Sequence, residues 1–247
     1  MKTTKKFLFY GFVLIGATLI VFGSCEKDDD DTNPVNDIDG NVYKTVKIGT
    51  QEWFAENLRT TKYNNGTAIP NITNGVEWSG LSIGAYVWYE NSEATYKNAY
   101  GALYNWYAVN TGNLCPTGWH LPTDAEWLTL EIYLIANGFN YDGITTGNKI
   151  AKALASTTLW TLSTITGSVG NTDYPTKRNS TVFTALPGGK RFFDGTFATI
   201  ERYGYWWSAT GNDATNAWYR RLDYDQSGIY RYYDNKKFGF SVRCVRD

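Results

Sequence analysis

The sequence predicts a loop-rich α+β domain, and three observations lead to that class. Aromatic residues make up 17% of the chain, with ten Trp and nineteen Tyr against a single Met, a composition more typical of β-containing extracellular domains than of helical bundles. One strong helix signal stands among short stretches that alternate as β-strands do. No period of roughly 20 to 50 residues repeats, so a solenoid or propeller is not expected.

The helix signal begins with a capping box at 123–126, Thr-Asp-Ala-Glu, in which the two ends satisfy each other's backbone N–H groups. Apolar residues follow at helical spacing, and Gly138 ends the helix after Asn137. A second helix is predicted at 148–155. The only histidine, His120, precedes the capping box; we interpret it as a hydrogen-bonded packing residue, with a ligand or general base as the alternative.

Strands are predicted in several other stretches. Residues 42–58 form a hairpin candidate that turns at Gly49, and 101–109 is an aromatic strand or strand-turn. Two further strands lie within 182–210, on either side of a Pro-Gly-Gly turn at 187–189. The final stretch, 238–247, alternates with period two.

The N-terminus has the features of a secretory signal. Three lysines precede an apolar run from Phe7 to Phe22 that ends in Gly-Ser-Cys. We therefore expect residues 1–24 to be a signal peptide and Cys25, which resembles a lipobox cysteine, to be lipidated. The alternative is a stray cysteine beside a conventional cleavage site or a retained anchor.

An acidic run follows Cys25 and predicts a flexible tether over 25–37, ahead of one domain over 38–247. Its position resembles the surface-export signal of Bacteroidota lipoproteins, so we expect an outer-membrane lipoprotein on the cell surface, bound to the membrane through its lipid. Removing 1–24 takes away three lysines and leaves 20 basic and 24 acidic residues, a net charge of −4. Nucleic acid is therefore disfavoured as a partner.

With Cys25 lipidated, Cys115 and Cys244 remain, and an exported chain meets an oxidising compartment. We predict a disulfide between them. A catalytic thiol is the alternative, although neither cysteine has a second histidine or a close cysteine beside it. No metal site is predicted from sulfur and nitrogen ligands.

The stretch 206–237 is the candidate binding region because it is rich in Tyr, Trp, Asn and Asp, which combine rigid contact area with adaptable hydrogen bonds. Two alternating segments flank a turn at 225–228. Cross-strand aromatic pairs that only stabilise the sheet are the alternative. The candidate ligand-binding residues are Trp207, Asn212, Asp213, Asn216, Trp218, Arg220, Asp223, Asp225, Tyr230, Tyr232, Tyr233 and Asp234.

Two details of this region are open to other interpretations. Trp206 and Trp207 are adjacent and point in opposite directions if extended, so we expect one of them in the core. The Gly-Asn-Asp triplet at 211–213 is interpreted as an ordinary turn, with a calcium site as the alternative. No other cofactor is expected.

Six ordered motifs resemble one known family. The motifs IGTQEWFAENLRTTKYNNGTAIP, YGALYNWYAV, LCPTGWHLPTDAEW, FTALPGG, YWWSAT and GFSVRCVRD are similar to those of the Fibrobacter succinogenes major paralogous domain. The resemblance implies a C-type-lectin-like fold, with two helices on short twisted antiparallel sheets and terminal strands that meet. A bridge between the first helix region and the last strand fits that fold.

The LPTDAEW element also resembles formylglycine-generating enzymes, but their cysteine pair and copper site have no counterpart here.

A further resemblance concerns the segment between YWWSAT and GFSVRCV, which is similar to the variable region of retroelement-diversified receptors. We therefore expect a lipid-anchored surface protein that binds a glycan or a protein and catalyses nothing. A formylglycine-generating-type oxidase and a structural module of a surface assembly are the alternatives.

Overall fold

The computed structural model describes residues 34–247. The predicted signal peptide, Cys25 and most of the tether lie outside the described residues. Val35–Asn36 already pairs with Val42–Tyr43, so the folded part begins before the predicted boundary at residue 38. Within the described range, no helix has both the length and the apolar content needed to span a bilayer.

The described residues combine short helices with antiparallel strands, which confirms the α+β class. The α-helices are α1 Gly75–Ser79, α2 Glu93–Tyr100, α3 Trp106–Val109, α4 Asp124–Ala136 and α5 Ala151–Leu154, with 3-10 turns at Tyr89–Asn91 and Pro175–Lys177. The strands are β1 Val35–Asn36, β2 Val42–Tyr43, β3 Thr45–Ile48, β4 Gln51–Phe54, β5 Tyr86–Val87, β6 Leu103–Tyr104, β7 Trp119–His120, β8 Lys190–Arg191, β9 Phe197–Ala198, β10 Tyr203–Gly211, β11 Asn216–Asp223, β12 Ile229–Asn235 and β13 Val245–Arg246.

Two sheets organise the domain. A four-stranded sheet has the order β3-β4-β13-β7, in which Val245 pairs with both Trp53 and His120. Strands from the beginning and the end of the described chain therefore meet. The second sheet has the order β10-β11-β12 and contains the longest strands.

The predicted capping box forms at the start of α4. The Thr123 hydroxyl accepts a hydrogen bond from the Glu126 N–H at 3.2 Å, and the Glu126 carboxylate accepts one from the Thr123 N–H at 2.7 Å. The apolar face, Trp127, Leu130 and Leu134, is buried. Gly138 follows with φ of 74°, a left-handed conformation that glycine adopts at little cost after a helix.

Several predicted elements are shorter or of another type. The hairpin within 42–58 is confirmed as β3 and β4, but the helix within 148–155 covers only Ala151–Leu154. Within 101–109, Asn105 caps the helix α3 by accepting a hydrogen bond from the Ala108 N–H at 3.0 Å. Part of this stretch is therefore helical, because a short apolar run fits a strand and a buried helix equally well.

The domain core covers part of each face of the β10-β11-β12 sheet. Trp206 packs on one side with Trp127 and Leu222, and Trp207 packs on the other with Phe240, at 4.3 Å between ring centroids. Both tryptophans are fully buried. One of them was expected in the core, and the structure places both there.

Cys115 and Cys244 are joined by a disulfide, as predicted. Within the predicted final strand, only Val245–Arg246 forms a regular strand. The period-two pattern of this stretch does not separate an exposed face from a buried one. Arg243 is fully buried and donates to the carbonyl oxygens of Phe54 and Thr184. The polar positions Ser241 and Arg243 are buried too, because this segment is hydrogen-bonded to β10 through Ser241 and to β4 through Cys244.

Candidate binding surface

The predicted binding residues lie on β10, β11, β12 and their connecting turns, and the register divides them between two faces. One row places Tyr205, Arg221 and Tyr230 side by side. Side chains of residues directly opposite each other point to the same face, and successive residues alternate. Tyr232 and Tyr233 therefore point to opposite faces, so the twelve residues do not form a single surface.

Trp207 is an interior residue and leaves the candidate set. It has no exposed surface, and its indole N–H donates to the Tyr104 carbonyl oxygen at 2.8 Å. The strand alternation placed it correctly relative to Trp206. It did not show that the segment containing Phe240 covers the second face.

Arg220 is also interior, at 1% exposure. Its guanidinium donates to the carboxylates of Asp124, at 2.6 Å, and Glu131. Burial raises the pKa of Glu131, and the facing cations only partly offset that effect. Arg220 thus fixes α4 on the sheet and is not available to a ligand.

Three partly or fully exposed residues beside Arg220 contact one another. The Arg231 guanidinium lies 3.3 Å from the centroid of the Trp218 ring and also donates to Asp124 at 2.9 Å. The Trp218 and Tyr233 rings meet edge to face at 5.3 Å. This cluster forms the rim of the face that carries α4.

The polar groups of the turn at 211–216 form hydrogen bonds with one another. Asp213 Oδ1 accepts hydrogen bonds from the N–H groups of Thr215, at 2.7 Å, and Asn216, at 2.8 Å. The Asn216 amide and the Thr215 N–H lower the pKa of Asp213. Among the described residues, no group of three or more His, Cys, Asp or Glu side chains could hold a metal ion.

The other face of the sheet carries a partly exposed aromatic cluster around one arginine. We call Tyr203, Arg221, Tyr230 and Tyr232 the tyrosine–arginine surface. The Arg221 guanidinium lies 4.8 Å from the ring centroid of Tyr232, 5.3 Å from that of Tyr203 and 5.9 Å from that of Tyr230. The rings of Tyr230 and Tyr232 stack at 6.0 Å with 27° between their planes.

Asp223 orients this arginine. Arg221 Nε donates to Asp223 Oδ1 at 2.6 Å, and its terminal nitrogen donates to Oδ2 at 2.7 Å. Such a two-bond contact fixes the plane of the guanidinium. Asp223 itself is 5% exposed, and burial raises its pKa although Arg221 opposes the shift. Asp223 was predicted to contact the ligand. In the structure it is buried and holds Arg221 in position instead.

A comparison with known protein families identifies the domain that carries this surface. The family model described as the Fibrobacter succinogenes major domain matches residues 46–246. The chain belongs to this family. No curated protein and no solved structure matches it. The matched part of this major domain includes the disulfide, α4 and the whole β10-β11-β12 sheet.

Sequence reasoning missed three polar or aromatic residues of the major domain that lie at the surface. Arg221 and Tyr203 could have been found, because they lie opposite Tyr230 and Asp223, which were predicted. Lys190 had no such signal. Its ammonium lies 4.1 Å from the Phe192 ring centroid and 5.2 Å from that of Tyr205, beside the same face.

His120 is hydrogen-bonded, as predicted. Its Nε2 lies 2.7 Å from Glu126 Oε1 and its Nδ1 lies 2.6 Å from Asp247 Oδ1. The side chain is about a third exposed, at 36%, so it lies at the rim of the major domain. Both ring nitrogens face carboxylates, which favours the charged imidazolium.

Proposed function

We propose that this major domain is a lipid-anchored cell-surface protein that binds a glycan on the tyrosine–arginine surface. The single observation that carries the proposal is the arrangement of Arg221. Its guanidinium is fixed in plane by Asp223 and bordered by the half-exposed rings of Tyr203, Tyr230 and Tyr232.

The chemistry of this arrangement suits a sugar. The C–H faces of a pyranose ring pack on flat aromatic rings, and its hydroxyls take hydrogen bonds from fixed donors and acceptors. Tyr232 is 40% exposed, and Asp234 and Lys190 supply polar groups at the edge of the same face. A site with an aromatic body and a few oriented polar groups is the usual form of a small-molecule site.

The proposal extends to the anchor, the fold and the absence of catalysis. The Gly-Ser-Cys sequence at 23–25 supports lipidation of Cys25, and the acidic run behind it supports surface exposure. The motif order supports a C-type-lectin-like fold. The disulfide engages both Cys115 and Cys244, which supports binding without thiol chemistry. The self-contained hydrogen bonds of Asp213 support binding without calcium.

A protein ligand is the second candidate, because Tyr, Trp and Arg are the residues that dominate protein interfaces. The rim cluster of Trp218, Arg231 and Tyr233 favours it, and Tyr233 is 54% exposed. This cluster lies on the opposite face of the sheet. Substitutions on one face therefore distinguish a glycan on the tyrosine–arginine surface from a protein on the rim.

The experiment is a glycan array probed with the exported protein, with calcium and with a chelator. We expect binding in both conditions for the wild type, and loss of binding for the double variant Tyr230→Ala/Tyr232→Ala. A matched double variant, Trp218→Ala/Tyr233→Ala, should retain binding. Glycan binding that survives the first double variant would refute the placement of the site.

The same sheet constrains genetic diversification of this segment. Several positions of this segment are buried, namely Ala217, Tyr219, Arg220, Leu222, Asp223 and Ile229. Variation that preserves the fold is therefore restricted to the remaining positions. A template repeat beside the gene would support a diversified receptor. The codons that differ between the gene and this repeat should fall on exposed positions such as Tyr232 and Tyr233.

A further inference from the structure

A groove opens beside the tyrosine–arginine surface, between the segment 161–172 and the turn that follows β11. It consists of two adjoining cavities of about 460 Å³ and 340 Å³. Leu162, Gly170 and Thr172 line both cavities, so the groove is continuous. Each volume falls within the roughly 300–1,000 Å³ of small-molecule sites.

Tyr224 connects the groove to the tyrosine–arginine surface. It lines the larger cavity, and its ring centroid lies 6.4 Å from that of Tyr203. The Arg202 guanidinium lies 5.0 Å from the Tyr224 ring centroid and 5.8 Å from that of Tyr203. An extended ligand bound on Tyr203 would therefore continue over Tyr224 into the groove.

The lining of the groove offers both apolar and hydroxyl groups. Leu162 is 78% exposed and Ile165 is 51% exposed, so aliphatic surface faces the solvent there. No side-chain hydrogen bond joins Thr164, Thr172 or Asp225 to another of residues 34–247, and all three line the larger cavity. Their oxygens are available to the hydroxyls of a ligand.

The charges that line the two cavities disfavour an anionic ligand; Arg202 lies at the Tyr203–Tyr224 ring pair and lines neither cavity. The segment 156–172 contains no charged residue, and Asp225 adds a carboxylate to the larger cavity. The smaller cavity is lined by Asp173, which pairs with Lys152, and by Arg178, whose guanidinium donates to the carbonyl oxygens of Ser156 and Val169. That cation is engaged by the protein backbone.

We propose that the groove and the tyrosine–arginine surface form one extended site for a neutral oligosaccharide. One end of the chain lies on Tyr203 and Arg221, and the following sugar units pass Tyr224 and occupy the groove on either side of Leu162. This inference rests on the proposed glycan-binding function and adds the ligand class: a linear, uncharged glycan of several units.

The test uses neutral oligosaccharides printed as length series from disaccharide to hexasaccharide, followed by affinity measurements on the family that binds. For the wild type, we expect affinity to rise at least about tenfold from disaccharide to hexasaccharide. Thr172→Trp fills the groove from an exposed position and should remove most of that gain while the disaccharide binds as before. Thr117→Trp, an exposed threonine away from both features, should leave the gain intact.

Each result supports or overturns the inference. Equal affinity for short and long chains, or a hexasaccharide gain that survives Thr172→Trp, would overturn the extended site and leave the proposed function standing. Anionic oligosaccharides that bind as well as neutral ones of equal length would overturn the ligand class. Failure of every glycan to bind the wild type would overturn both the inference and the function. Unchanged disaccharide affinity shows that the Thr172→Trp protein is folded.

Discussion

The imidazole Nδ1 of His120 lies 2.6 Å from Oδ1 of Asp247, 127 residues further along the chain. The other ring nitrogen contacts Glu126 of the capping box. Burial alone would lower the pKa of His120, but the hydrogen bonds to Asp247 and Glu126 raise it above its usual value. This contact connects the end of the last strand to the start of α4.

The raised pKa of His120 predicts a pH-dependent stability. Because the folded pKa exceeds the unfolded one, the contribution is complete below the unfolded pKa and is lost as pH rises through the folded pKa. The side chain is partly exposed, so solvent limits the contribution to about 1 kcal/mol or less. Denaturant unfolding of wild type and His120→Gln should differ more at about pH 5.5 than at about pH 8.5, on either side of the histidine range. A difference that is the same at both pH values would contradict the charged contact.

The disulfide predicts a large loss of stability on its removal. Cys115 and Cys244 close a loop with a sequence separation of 129 residues. In the chain-entropy model, a loop of this length stabilises the fold by about 4 kcal/mol. Cys115→Ser/Cys244→Ser should lower the free energy of unfolding by that order, whereas Cys25→Ala should leave it unchanged. Mass spectrometry of the unreduced protein checks the bond, and alkylation of both sulfurs would refute it.

Arg220 and Arg231 offer a matched test of burial, since both bind Asp124. The Arg220 side chain is 1% exposed and that of Arg231 is 44% exposed. Arg220→Ala leaves two carboxylates without their buried partner and should cost about 3–5 kcal/mol. Arg231→Ala should cost under about 1 kcal/mol. Equal losses in chemical denaturation would show that Arg220 is not an interior residue.

Local patterns predicted the elements that depend on neighbouring residues. The capping box at Thr123 and Glu126 and the stop at Gly138 were identified correctly, because their hydrogen bonds and φ angles are set within a few positions. The strands on either side of the 225–228 turn were found for the same reason, since alternation is also local.

Burial could not be predicted in the same way, because it depends on what covers each face. The sequence around Trp207 and Arg220 has the alternation of strands with an exposed face. In the structure, however, the segment containing Phe240 covers Trp207, and α4 covers Arg220. The position of Lys190 beside Tyr205 and the groove beside Tyr224 both result from contacts between segments that are distant in the sequence. No pattern within one strand contains that information.

The measurement that tests the central claim most directly compares two adjacent tyrosines. Tyr232 lies 4.8 Å from the Arg221 guanidinium, measured to its ring centroid, and Tyr233 packs against Trp218 on the opposite face. Calorimetric titration with the best glycan from the array should show at least a roughly tenfold weaker affinity for Tyr232→Ala. Tyr233→Ala should bind as the wild type does. Weaker binding by Tyr233→Ala alone would contradict the placement of the ligand on the tyrosine–arginine surface.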